Sequence, residues 1–260
     1  MDYSGALGLC NNFVTLGARG RAPAKPVVRH LIAGPGLPMW EEMGGPRKTR
    51  RVGHAGASGV VRGNTLASFD AAVALGVDMI EFDVRAGRGR LVVAHTPVRA
   101  RRPGCLDLDR ALAHLRTPPF AGIEVNVDLK EPGLEAGTLA ALRHHGLAGR
   151  ALLSSQMPAV VDRVRALDPA ARTGVSVGGW LARRGNRWGD WRTAILAALR
   201  ERRYAALMAH HSLVDAALAA QVAEAGAELF AWTVQERTTL DRLAPLGLDG
   251  ITVTDPRLFA

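Results

Sequence analysis

From Arg50 onward the chain alternates short apolar runs with stretches whose apolar residues recur at helical spacing. The short runs predict strands at Arg51–His54, Met79–Val84, Leu91–His95, Ile123–Leu129, Ala151–Ser154, Thr173–Val177, Ala205–Met208, Glu228–Val234 and Gly250–Thr254. Helical periodicity predicts Thr65–Leu75, Leu106–Leu115, Leu134–His144, Pro158–Leu167, Trp191–Arg203, Val214–Ala225 and Thr238–Leu246. Strand and helix taking turns in one unit imply a parallel sheet covered by helices, and this many repeats favour closure into a (β/α)8 TIM barrel. Nine strands are one too many for such a barrel. The connection from Val84 to Leu91 contains Gly87 and Gly89 and is too short for a crossover helix, so it reads as a β-hairpin-like insertion between the second and third strand segments. One strand of that pair is therefore expected to stand outside the barrel.

The first 48 residues lack any sustained period. Residues 1–50 hold 8 Gly and 5 Pro, with seven basic and three acidic side chains. A disordered or irregular basic extension is expected over 1–48, with the barrel domain over 49–260. A basic arm for nucleic acid or an anionic membrane is the rival, but the charges are scattered and no aromatic residues interleave with them. Neither Ala6–Cys10 nor Phe13–Leu16 is long enough for a signal-peptide core, and no apolar run approaches the length of a membrane span. A cytoplasmic protein without nucleic-acid partners is the expectation.

Composition adds little to this outline and removes some classes. Of 260 residues, 48% are apolar, enough for one well-buried core. Cys10 and Cys105 lie too far apart in sequence to staple a small scaffold, which excludes a disulfide framework or a Cys-based zinc site. The net charge of +9 comes from Arg rather than Lys. Only Lys25, Lys48 and Lys130 are present, so Lys130 is the one Lys of the barrel region beyond residue 48.

Active sites of parallel barrels lie at the C-terminal ends of the strands. There the chain offers His54, then Glu81 and Asp83, then His95, then Asn126, Asp128 and Lys130. Because side chains alternate along a strand, Glu81 and Asp83 share a face, as do Asn126, Asp128 and Lys130, while Phe82, Val125, Val127 and Leu129 face the other way. A carboxylate at a strand end often serves only as a helix cap, and a lone strand-end His is often structural. The coincidence of two His, three acids and the sole Lys is what points to chemistry. Three buried carboxylates form an all-oxygen set suited to one hard divalent cation, Mg²⁺ or Ca²⁺. His30, His114, His144, His145, His210 and His211 need no functional role on this reading.

The same residues resemble a known family. Val52-Gly53-His54-Ala55-Gly56-Ala57-Ser58, Gly63-Asn64-Thr65-Leu66-Ala67-Ser68-Phe69, Glu81-Phe82-Asp83-Val84 and Val92-Val93-Ala94-His95 are similar to successive motifs of the glycerophosphodiester phosphodiesterases. So are Asp128-Leu129-Lys130, Trp232-Thr233-Val234-Gln235, Asp249-Gly250-Ile251 and Thr254-Asp255-Pro256. The resemblance covers about residues 50–260 and implies a TIM barrel with a divalent cation on Glu81, Asp83 and Asp128. It implies His54 and His95 as the acid–base pair, Lys130 on the phosphate, and Trp232 as a wall of the substrate pocket. The implied reaction is hydrolysis of glycerophosphodiesters to sn-glycerol 3-phosphate and an alcohol.

Four positions depart from the family pattern. Ala55 replaces an Arg that contacts phosphate, Gly63 replaces a Glu, and Thr96 replaces the Asp after the second His. Asp128 stands where the family has Glu, and Asp-x-Lys there also resembles the sphingomyelinase D group. Two rivals therefore stay open. One is a lysophospholipase D or sphingomyelinase D-like activity on a lipid, with Ala55 leaving room for another head group; the other is a non-catalytic barrel that binds a phosphate ligand. The segment Gly178–Trp191, with Trp180, Trp188, Trp191, Arg183, Arg184 and Arg187, is the candidate lipid-facing rim, or else a loop whose Trp residues pack on helices.

Overall fold

Strand and helix alternate around a closed ring in the computed structural model, which describes residues 48–178 and 187–260. The expected N-terminal extension lies outside the described residues, except for Lys48, as do Trp180, Arg183 and Arg184 of the candidate rim. Among the described residues nine strands follow in order: β1 Arg50–Gly53, β2 Met79–Gly87, β3 Arg90–Val93, β4 Glu124–Leu129, β5 Ala151–Ser155, β6 Arg172–Val177, β7 Ala206–His210, β8 Glu228–Val234 and β9 Gly250–Val253. All except β3 are parallel, and the barrel closes because β1 pairs with both β2 and β9. This is the TIM barrel expected from the strand–helix alternation.

The surplus strand is β3. It runs antiparallel to the far half of β2, with Val84 opposite Val93 and Gly87 opposite Arg90. The turn between them places Arg88 at φ 45° and Gly89 at φ 78°. Two successive positive φ values make the primed turn whose twist suits a two-residue hairpin. β2 is thus long enough to build the barrel wall with its first half and to carry a hairpin above the rim with its second.

Among the described residues eight helices cover the barrel: α1 Leu66–Ala74, α2 Pro97–Ala100, α3 Leu108–Leu115, α4 Glu135–His144, α5 Pro158–Leu167, α6 Arg187–Arg200, α7 Ala216–Glu224 and α8 Arg237–Leu243. The one-turn α2 is too short to show a period in the sequence. Outward strand residues pack on the helices: Phe82 meets Phe69 of α1 with ring centroids 5.6 Å apart, and Val125, Val127 and Leu129 join Leu112, Leu139 and Leu142 in one apolar cluster. Trp188 and Trp191 pack against the core beneath α6, which satisfies the helix-packing alternative for these two.

The opposite, N-terminal mouth is closed by charge. Arg50, Glu124, Arg172 and Glu228 begin β1, β4, β6 and β8, alternate strands of the barrel, and so point into one layer. Arg50 bonds Glu124 at 2.6 Å and Glu228 at 3.0 Å, and Arg172 bonds the same two carboxylates from the other side. The four side chains are 13% to 27% exposed. Burial alone would raise the Glu124 carboxyl, but Arg172 and Arg50 overcome it and hold the group below its ordinary range. Its contribution to stability is therefore full above the unfolded carboxyl's pKa and is lost as pH falls through the lower folded value. Glu124→Gln is expected to cost about 2–4 kcal/mol, because two Arg lose half their neutralisation in a partly dry layer. Denaturant melts at neutral pH test the magnitude, and the variant should also show a shallower loss of stability on acidification than the parent.

Candidate active site

A cavity opens at the C-terminal ends of the strands. His54, Glu81, His95, Asp128, Lys130 and Trp232 all line it. Asp83 lies directly behind this wall, so the structure brings together all seven residues singled out from the sequence.

The inner face of β2 carries the centre of the charge. Asp83 is 1% exposed. It accepts from Asn64 Nδ2 at 2.7 Å, meets Lys130 Nζ at 2.6 Å and lies 3.2 Å from His95 Nδ1. Its own backbone N–H donates to Asn64 Oδ1, which makes the Asn64 contact two-pronged. Burial would raise the Asp83 carboxyl, yet the His95 hydrogen bond and the Lys130 charge hold it well below the usual carboxylate range. Asp128 stands beside it on β4, in register with Asp83, and Lys130 follows two residues later on the same face. The Lys130 ammonium bridges Asp83 and Asp128. Burial would lower its pKa, but Asp128, Asp83 and Glu81 together raise it above the ordinary Lys value.

Glu81 completes the group from one turn of the pleat below Asp83. Its Oε2 accepts the backbone N–H of Ala55 at 2.9 Å. Ala55 adopts a left-handed φ of 48°, which orders of magnitude favour only when neighbours hold it, since an L-residue loses roughly 1–2 kcal/mol there. The following residue, Gly56, could be nothing else: at φ 82° a Cβ would fall 2.5 Å from the Ser68 carbonyl oxygen. This close approach pins the loop after β1 to the start of α1, where Thr65 and Ser68 form a reciprocal cap.

The two histidines differ in setting. His54 directly follows β1, is half-buried, and its Nδ1 lies 3.1 Å from Ser58 Oγ. Burial lowers its pKa, with the Lys130 and His95 charges adding to this against the pull of Asp83. His95 is 57% exposed at its side chain and stands just past β3. It reaches the cavity from the returning arm of the hairpin, the strand of the pair that stands outside the barrel. Arg85 fixes this arm, donating from Nε to the His95 carbonyl at 3.0 Å while its Nη1 holds Glu131 at 3.1 Å. The other Glu131 oxygen accepts the N–H of Ala86 at 2.8 Å.

Whether these residues fit a cation can be judged from their own bonding. One oxygen from each of Glu81, Asp83 and Asp128 lies within 4.8 Å of the others. Three carboxylates face a single ammonium, and Asp128 Oδ1 is buried with no hydrogen-bond partner. Burial, and then the Asp83 charge, push Glu81 well above the usual carboxylate range; burial likewise raises Asp128 against the pull of Lys130. The cluster is short of positive charge, and an all-oxygen donor set of this kind matches a hard divalent ion.

The glycerophosphoryl diester phosphodiesterase family model matches residues 54–101 and 124–258, which include all seven of these residues and most of the barrel. The chain belongs to this family. Its enzyme class is accordingly that of a phosphoric diester hydrolase. A glycerophosphodiester phosphodiesterase of Caldanaerobacter subterraneus subsp. tengcongensis is 26% identical over 242 residues, covering 80% of this chain and 95% of the relative. A Silicibacter pomeroyi protein named for the same family superposes with a TM-score of 0.71 at 21% identity, over 83% of this chain and 92% of its own. An Oleispira antarctica phosphodiesterase, solved with the product sn-glycerol-3-phosphate, gives a TM-score of 0.63 at 22% identity, over 80% and 94%. At these identities the two structures share the barrel fold.

The departures from the family pattern look different in three dimensions. Ala55 is 4% exposed and does not line the phosphodiesterase cavity, so it supplies no room for a head group there. It lies against Gly63, where a Cβ would come within 2.9 Å of the Ala55 Cβ and 2.8 Å of the Ser58 Cβ. The changes at 55 and 63 are thus one local repacking. Thr96 caps α2 by accepting the Arg99 N–H. Ser58 and Asn64 lie in two of the family-like motifs without a role read from them, and nothing local in the sequence marks Arg85 or Glu131. His114 and His145, left without a role, pair with Asp70 and Asp109 on the helical surface.

Proposed function

We propose that this phosphodiesterase hydrolyses small glycerophosphodiesters to sn-glycerol 3-phosphate and an alcohol, with His54 and His95 as its acid–base pair and Glu81, Asp83 and Asp128 as the holders of one Mg²⁺ or Ca²⁺. The observation that carries this reading is the convergence of three buried carboxylates, two histidines and one Lys on a single cavity. A divalent cation there would neutralise a nonbridging phosphoryl oxygen and acidify a nearby hydroxyl or water. Lys130 contributes a second positive charge to the phosphoryl group once it swings from the carboxylates. His54, kept neutral by burial, suits the base that takes the nucleophile's proton. His95, fixed through Nδ1 to Asp83, leaves Nε2 to give a proton to the departing alcohol. Trp232 supplies an apolar wall for the substrate. The barrel, residues 49–260, is the catalytic unit on this reading. Among the described residues no helix is long and apolar enough to cross a membrane.

The test is product release from a panel of glycerophosphodiesters and lysolipids with added Mg²⁺, Ca²⁺ or chelator. Release of sn-glycerol 3-phosphate that chelation abolishes is the expected result. Phosphate ester release that is indifferent to chelation, or none from any diester, would remove the reading.

Arg85 offers a finer check. If its bond to the His95 carbonyl sets the imidazole, Arg85→Ala should lower kcat by about tenfold or more with little change in KM, since small misplacements are costly to catalysis. In a His95→Ala background the same change should cost almost nothing, and Arg85→Lys should recover part of the loss. Equal losses in both backgrounds would mean that Arg85 only stabilises the hairpin.

A further inference from the structure

The hairpin that delivers His95 bears a second pattern that the chemistry leaves unused. Between Arg85 and Arg102 there are six Arg, at 85, 88, 90, 99, 101 and 102, and no acidic residue. Arg85 and Arg90 are matched by Glu131 and Asp107. Arg88, Arg99, Arg101 and Arg102 are exposed and have no ion pair among the described residues.

These four belong to one platform. Arg88, at the hairpin tip, donates from Nε to the Arg101 carbonyl at 2.9 Å. A Cβ at Gly87 would fall 2.5 Å from the Ala100 carbonyl oxygen, so α2 rests directly on the hairpin backbone. Val98 stands among the Arg residues at 64% exposure, without apolar cover. The platform rises from the C-terminal rim of the barrel, and His95 at its foot lines the cavity.

We infer that this platform docks the protein on an anionic lipid bilayer beside the mouth of the active site. Clustered Arg near a membrane gains from the negative surface potential, and their aliphatic stems tolerate the interface. Val98 adds an apolar contact that a purely electrostatic partner would not call for. No Phe, Trp or Tyr occurs from 85 to 107, so the platform lacks the stacking surfaces on which single-stranded nucleic acid is held. The consequence for substrate rests on the proposed function: a diester carried in the bilayer would be presented directly to the cavity. The docking itself does not need hydrolysis.

The experiment is cosedimentation of the full chain with vesicles of phosphatidylcholine alone and of phosphatidylcholine with phosphatidylglycerol, alongside hydrolysis of a water-soluble glycerophosphodiester. Binding is expected only to the anionic vesicles and should weaken with salt. The triple variant Arg99→Ala, Arg101→Ala, Arg102→Ala should bind roughly a hundredfold more weakly, at about fivefold for each Arg, and Val98→Asp should also bind more weakly. Both should hydrolyse the soluble substrate like the parent. Equal binding to both vesicle types, no binding, or full binding by the triple variant would overturn the inference. So would Arg-dependent capture of a short RNA without any vesicle binding. Arg-dependent vesicle binding by a protein inert toward every soluble and lipid diester would uphold the docking surface and remove the hydrolytic reading instead.

Discussion

Replacement of either His54 or His95 by Ala is expected to slow turnover by about 10²–10⁴-fold, the usual worth of a general acid or base. Binding of a phosphodiester should change far less, because Glu81, Asp83, Asp128 and Lys130 still frame the proposed phosphate site. The double variant should lose much less than the product of the single losses, since neither half of a proton relay works alone. A substrate with a good leaving group separates the roles. With the departing alcohol no longer needing a proton, His95→Ala should recover much of its rate while His54→Ala should not. Single-turnover rates on the two substrates decide this. Near-full turnover by both single variants on an unactivated diester would show that the two histidines are structural.

Asp83→Asn should have the largest effect on cation binding. The change preserves size and can keep the Asn64 contact, but it removes the most deeply buried charge of the group. It also leaves Lys130 and His95 facing an amide in place of a carboxylate. Affinity for Mg²⁺ and Ca²⁺ should fall by about two orders of magnitude, because ligand charge sets affinity in oxygen-donor sites. Titration calorimetry on the parent and variant measures it directly. Unchanged binding would place the cation elsewhere on the molecule. Chelator-treated parent enzyme should resemble the variant in activity, which distinguishes loss of the ion from damage to the barrel.

Much of this site could be read from spacing alone. Alternation along β2 and β4 put Glu81 with Asp83 and Asn126 with Asp128 and Lys130, and the structure keeps both sets on the inner face. Alternation says which way a side chain points, however, and not what it will meet. That Lys130 is clasped by Asp83 and Asp128 depends on the register of two strands separated by a hairpin and two helices. The Arg85–Glu131 contact joins residues 46 apart, and nothing local marks either one. The hairpin was legible from Gly87 and Gly89, but the choice between β2 and β3 as the barrel member was not, because both runs are equally apolar. Only pairing decides it: β4 hydrogen-bonds β2 along six residues and leaves β3 outside.

The Arg–Glu ring at the base of the barrel has a consequence for how the chain reaches its fold. Its members arrive from four strands, and Arg50 meets Glu228 across 178 residues of sequence. A chain that has formed only its first half holds Arg50 and Glu124 but neither Arg172 nor Glu228, so the layer is left with unanswered donors and acceptors. Partial barrels are therefore penalised at the place where they would otherwise be capped, and the full neutralisation arrives only with the final strands. Such long-range closure makes folding slow for its size. The ring acts as a check that every stave is in place.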